Sequence, residues 1–120
     1  MSEYRKSWHV MNHDRFLRDP FLQALPLGAL GLLCHLQCLV GAATRGYETG
    51  TLYGEDGRII TVGELLSLLS MDNDSCRSEI KQHLDFLIRA RQISCSEPLL
   101  ASNSRLTLRF WKQDQEAQYE

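Results

Sequence analysis

A chain of 120 residues with 43% hydrophobic and 23% charged side chains can bury one core unaided, and its composition excludes a largely disordered protein. A formal net charge of −2 excludes a nucleic-acid binder that works by bulk positive charge alone. His9, Asn12, His13 and Asp14 follow Arg5 and Lys6 where a secretory signal would need an apolar segment, so four cysteines are expected in a reducing, cytoplasmic setting.

One domain over 1–120 is expected, ordered from about 8 to 113, with the polar first and last seven residues frayed. Trp8, Val10 and Met11 suggest a short extended piece leading to Phe16 and Leu17. Asp19-Pro20 starts a short helical segment through Leu25, which Pro26 and Gly28 break. From Pro20 to Thr44 no Asp, Glu, Lys or Arg occurs, a length that could span a bilayer. Two prolines, three glycines and His35 interrupt it, so a buried helix over about Ala29 to Thr44 is expected and no membrane span. Leu30, Leu33, Leu36 and Val40 recur at helical spacing there, and Gly46 and Gly50 mark the exit.

Thr51–Tyr53 and Arg58–Ile60 are short β-like runs around Gly54-Glu-Asp-Gly57, a hairpin signal. Thr61-Val-Gly-Glu64 fits a capping box, and Leu65, Leu66, Leu68 and Leu69 form the buried side of the helix that follows. After the polar turn Ser70–Asp74, one of Asp72, Asn73 or Asp74 should cap a third helix running to about Arg91. Its apolar face would be Cys76, Ile80, Leu84, Leu87 and Ile88. Two β-like runs, Gln92–Cys95 and Arg105–Phe110, close the chain around the loop Ser96–Ser104. Helix, short strand, helix, turn, helix, hairpin is the order of a winged helix-turn-helix, mostly α with a small antiparallel sheet.

Asp14-Arg-Phe-Leu-Arg-Asp-Pro20, Leu25-Pro-Leu-Gly28, Gly50-Thr-Leu-Tyr53, Thr61-Val-Gly-Glu-Leu-Leu66 and Leu106-Thr-Leu-Arg-Phe-Trp-Lys-Gln113 occur in this order. Together, over roughly residues 8 to 113, they resemble the N-terminal winged-helix domain of phage replisome organisers and related primosomal initiation proteins. The resemblance implies a replication-associated protein that binds DNA or other replisome proteins, often as an oligomer. Such members place a glycine near 91 to 92, where this chain has Arg91-Gln92. They also continue into further domains, so helicase loading is not expected of these 120 residues alone.

The charges are unevenly placed. Residues 46–74 carry Glu48, Glu55, Asp56, Glu64, Asp72 and Asp74 against Arg58, whereas 75–91 carry Arg77, Lys81, Arg89 and Arg91 against Glu79 and Asp85. Such asymmetry turns one face toward phosphate and keeps the other away. The third helix would enter the major groove, with Ser75, Arg77, Ser78, Lys81, Gln82 and Arg89 as candidate contacts, and Arg105 and Arg109 would add backbone contacts from the wing. The plain alternative is the solvated face of an amphipathic helix. Asp72 and Asp74 would oppose phosphate unless they turn inward as caps.

A rival function is a winged-helix module for protein docking or self-association, with Trp8, Phe16, Phe21 and Trp111 as anchors. Core packing is the plainer role for Phe16 and Phe21. Cys34 and Cys38, four apart in the apolar helix, read as small core hydrophobes. With His9 and His13 they are conceivable zinc ligands, but no CxxC pair occurs, and no metal, cofactor or small-molecule substrate is expected. His35 should edge the central helix and His83 the outer side of the third. No nucleophile motif or phosphate-binding glycine loop occurs, so no enzyme is expected.

Overall fold

The computed structural model describes residues 9–54, 56–70, 73–97 and 102–116; Trp8, Asp72 and the middle of the loop around Pro98 lie outside them. The chain enters through two short helices, the first where the sequence suggested an extended lead-in to Phe16 and Leu17 and the second where Asp19-Pro20 announced it. Asn12 caps α1 (His13–Arg18), its side chain accepting from the Arg15 N–H. Asp19 ends α1 and caps α2 (Pro20–Gln23), with its carboxylate 2.8 Å from the Phe21 nitrogen and Pro20 in the first turn.

The central helix α3 (Leu27–Ala42) begins directly after Pro26, whose carbonyl accepts from Leu30 N–H at 3.0 Å. Ala29, Leu33, Leu36 and Val40 are buried along it. Extended backbone at Ala43 interrupts the helix, and a further helix, α4 (Thr44–Thr49), occupies the stretch expected to be its exit. Gly50 closes α4 at φ +80, its N–H donating to the Gly46 carbonyl. A side chain at Gly50 would place Cβ 3.0 Å from Cβ of Trp111, so glycine is required there for space as well as for backbone.

The two β-like runs after Gly50 pair only through isolated bridges, Thr51 with Thr107, Tyr53 with Ile59 and Thr61 with Arg105. The expected turn at Asp56-Gly57 is present, with Gly54 N–H donating to the Arg58 carbonyl at 2.7 Å. Helix α5 (Val62–Ser70) starts at Thr61, whose hydroxyl accepts from Glu64 N–H at 3.3 Å and donates to the Glu64 carboxylate at 3.1 Å. Its first amides, Val62 and Gly63, donate to the carbonyls of Ser104 and Ser102. The far end of the closing loop thus caps α5. Leu65 and Leu66 are buried as expected, Leu69 is half-buried, and Leu68 is exposed because it falls on the solvent side of the same turn.

Asn73 supplies the cap of α6 (Asp74–Arg89), accepting from Cys76 N–H at 3.1 Å. Leu84 and Leu87 are buried and Ile80 and Ile88 pack beside them, but Cys76 is exposed, since the first turn of α6 lies outside the core. The helix ends in a Schellman arrangement: Gln92 N–H donates to the Leu87 carbonyl and Arg91 N–H to that of Ile88. Arg91 carries φ +60 at the position where left-handed backbone favours glycine.

Strands β1 (Ile93–Cys95) and β2 (Leu106–Leu108) are antiparallel, with Ile93 opposite Leu108 and Ser94 opposite Thr107. Thr51 bridges the other edge of β2, so β2 is central. Alternation sends Leu52, Ile93, Leu106 and Leu108 into the core beneath α3, α5 and α6 and leaves Thr51, Ser94 and Thr107 on the outer face. The architecture is mostly helical with a small antiparallel sheet.

Of the last seven residues, expected to fray, 114–116 belong to helix α7 (Trp111–Glu116), with Trp111, Asp114 and Gln115 buried, and 117–120 lie outside the described residues. Trp111 fills the core and donates its indole N–H to the Tyr47 carbonyl at 2.7 Å. Phe16 packs against the core, whereas Phe21, also expected there, is 56% exposed on the short helix α2.

Candidate nucleic-acid interface

Ser75, Ser78, Gln82 and Arg89 recur at three- and four-residue steps along α6 and share its outward face, with Lys81 at the border. All five are exposed. Two of the expected contacts are engaged elsewhere. Arg77 is half-buried and donates from Nη2 to Ser67 Oγ at 3.1 Å, which turns it toward α5. Arg89 is paired with Asp85 one turn earlier and lies over Phe86. Asp74, expected to turn inward if it caps, is exposed because Asn73 takes that role. On its exposed face the helix therefore presents one cation without a described carboxylate partner, Lys81, flanked by amide and hydroxyl donors.

The second part lies on β2. Arg105 and Arg109 bracket Thr107 at two-residue steps, and both are exposed with no ion pair among the described residues. Backbone bonds fix them: Arg105 N–H donates to Ser96 Oγ at 2.9 Å, and Arg109 N–H to the Gln92 carbonyl at 3.0 Å. Beside Arg105 the outer sheet face forms a polar cavity of about 260 Å³.

A buried polar cluster escaped the sequence reading. Arg15 donates from Nε and Nη2 to the two Asp114 oxygens at 2.8 and 2.6 Å, and from Nη1 to Gln92 Oε1 at 2.5 Å. The guanidinium also lies 4.6 Å from the centre of the Phe110 ring. Gln115 completes the cluster, accepting from Val10 N–H at 2.8 Å and donating to the Val10 carbonyl at 2.9 Å. These bonds tie the N-terminal segment to α7. A bidentate, charge-assisted pair of this kind fixes geometry, and its partners are 99 residues apart, so no local pattern announces it.

The histidines and cysteines do not converge. No group of three or more His, Cys, Asp or Glu among the described residues could hold a metal ion. Cys34 is half-buried, and burial pushes its thiol above the usual range, while Cys38, expected in the core, is exposed. His35 is exposed. His83, expected on the outer side of α6, is tucked against α3 so tightly that a Cβ at Gly28 would lie 2.5 Å from its Nε2. His9 stacks at 5.6 Å on Trp111, and burial lowers its proton affinity, with Gln37 partly offsetting the shift. No helix among the described residues is long and apolar enough to cross a membrane. Comparison with models of known families, with curated proteins and with solved structures finds no match to this chain.

Proposed function

We propose that this chain is a winged-helix binding module that associates with DNA, of the phage or bacterial replication type, and acts by binding rather than catalysis. The element order supports the winged-helix reading: α3, the short α4, the Thr51 bridge, α5, α6, then β1 and β2, with β2 paired to β1 on one side and bridged by Thr51 on the other. The observation that carries the DNA reading is a group of three exposed cations without a described carboxylate partner on the two expected contact elements, Lys81 on α6 and Arg105 and Arg109 at the two ends of β2. Lys81 suits phosphate, Gln82 suits an adenine edge, and Ser75 and Ser78 suit either. Arg89 can join them at little cost, because a solvent-exposed pair such as Arg89–Asp85 contributes only about 0–1 kcal/mol. Arg77, held by Ser67, supports α5–α6 packing more than contact.

The test is fluorescence anisotropy of a labelled duplex with wild type, Lys81→Glu and the pair Arg105→Glu/Arg109→Glu. Binding that both variants weaken is expected. Equal affinity for all three proteins would remove α6 and β2 from the interface.

A second reading, a protein-docking or self-association module, has its own observation. Leu17, Phe21 and Leu27 are 70%, 56% and 86% exposed on α1, α2 and the start of α3. Sedimentation equilibrium of wild type and Leu17→Lys/Leu27→Lys separates the readings. Self-association lost in the variant supports docking, and a monomer at every concentration counts against self-association.

A further inference from the structure

The cavity on the outer face of the sheet is walled by Thr51, Tyr53, Ser94, Ser96, Arg105 and Thr107, and no carboxylate among the described residues lines it. Its chemistry follows from strand alternation. Thr107 and Arg105 stand two residues apart on β2, Thr107 lies opposite Ser94 on one side, and it bridges Thr51 on the other. The two strands and the bridged Thr51 segment thereby bring one guanidinium, four aliphatic hydroxyls and the Tyr53 phenol around a common hollow.

The hydroxyls have hydrogens to give. Thr51 and Thr107 share one bond at 2.8 Å, which uses one hydroxyl hydrogen and leaves the other for a further acceptor. Ser96 Oγ accepts from Arg105 N–H at 2.9 Å, so its own O–H is available to donate. Arg105 has no carboxylate partner among the described residues and offers a planar fork of donors. Arg45 lies over the Tyr53 ring at 5.7 Å and brings a second positive charge to that wall. A site of donors and positive charge without carboxylates selects an acceptor-only anion and rejects a cation. The volume of about 260 Å³ holds a phosphate group with part of its nucleoside, and Tyr53 and Ile59 give the sugar or base an apolar wall.

We propose that this cavity seats one phosphate group of a nucleotide or of a nucleic-acid strand, with Arg105 and the Thr51, Thr107 and Ser96 hydroxyls as its ligands. The proposal deepens the nucleic-acid reading and rests on it for the phosphate's source. It adds a defined seat to that interface, with Arg105 shared between the two and the seat on the outer sheet face, not on α6.

The test is a nitrogen-15 NMR titration of the full chain, at low salt, with inorganic phosphate, thymidine monophosphate, oligothymidylate and a DNA duplex in separate arms. The amides of Ser94, Ser96 and Thr107 should shift. Arg105→Gln and Thr107→Val should each weaken binding about tenfold, as loss of a hydrogen bond to a charged group does. Val is β-branched and suits an outer strand position, so Thr107→Val keeps the fold. Shifts with the mononucleotide assign a free nucleotide as occupant, and shifts with oligothymidylate alone assign a strand; either result supports the seat. Silent sheet amides in every arm, or wild-type affinity in both sheet variants, overturn it. If α6 amides still respond to duplex, the nucleic-acid reading stands without the seat, and if they too are silent, both fall.

Discussion

Replacing Asp114 by Ala removes the bidentate partner of the buried Arg15 guanidinium and leaves Asp19, 3.9 Å away, as its described carboxylate neighbour. The Arg15 side chain is 9% exposed and that of Asp114 1%, so water cannot replace the carboxylate without opening the junction between α1 and α7. Breaking a buried ion pair by removing one partner costs about 3–5 kcal/mol. A domain of 120 residues holds roughly 6–18 kcal/mol in all, so the variant loses a large share of its stability. With a urea m-value on the order of 1.5 kcal/mol/M, the midpoint followed by circular dichroism should fall by roughly 2–3 M. The exposed pair Arg89–Asp85 is the internal control, and Asp85→Ala should cost no more than about 1 kcal/mol. The apolar double replacement Arg15→Met/Asp114→Leu should recover much of the loss, because no charge is then left buried. An Asp114→Ala midpoint equal to that of Asp85→Ala would refute the reasoning, since it would mean the buried pair behaves like a surface one.

Arg91→Gly should raise stability by about 0.5–1 kcal/mol in thermal melts, because left-handed backbone costs a non-glycine residue about 1–2 kcal/mol and glycine returns part of that as unfolded-state entropy; a lower melting temperature would contradict the strain at the end of α6. Gly50→Ala and Gly57→Ala both meet positive φ, but only the first meets Trp111, so urea titrations should find Gly50→Ala the more destabilised of the two. His9 binds its proton less well in the fold than in the unfolded chain, chiefly through burial, so its contribution is complete above the unfolded value of about 6.5 and is lost as pH falls through the lower folded one. The stability gap between wild type and His9→Phe should therefore shrink between pH 7.5 and 5.5, and an unchanged gap would exclude His9 as a source of pH dependence.

Elements with a local signature were legible in the sequence. Thr61 and Glu64 announced the start of α5, the polar run Asp72-Asn73-Asp74 that of α6 without telling which residue caps, and the alternation of Leu106 and Leu108 with Thr107 the faces of β2. Arg105 and Arg109 could be assigned to the outer face for the same reason. Helices α1, α4 and α7 span six residues each, under two turns, too few for a helical period to show. Asp114 and Gln115 looked like a solvated terminus because their partners, Arg15 and Val10, lie far away in the chain. Spacing placed Leu84, Leu87, Ser75, Ser78 and Gln82 correctly around α6, but it misplaced Cys76 and His83 and could not tell that Arg77 would turn back to Ser67. The Arg89–Asp85 pair is a four-residue step, a signal present in the sequence from the start.

The central claim concerns phosphate contact, and the salt dependence of duplex affinity tests it most directly. With Lys81, Arg105 and Arg109 as the contacting cations, a plot of log affinity against log salt should be linear with a slope of about −2.7, near −0.9 for each phosphate neutralised. Lys81→Gln should make that slope shallower by about one. A slope near zero, or no measurable binding at the lowest salt, would contradict the account and leave protein docking as the function of this fold.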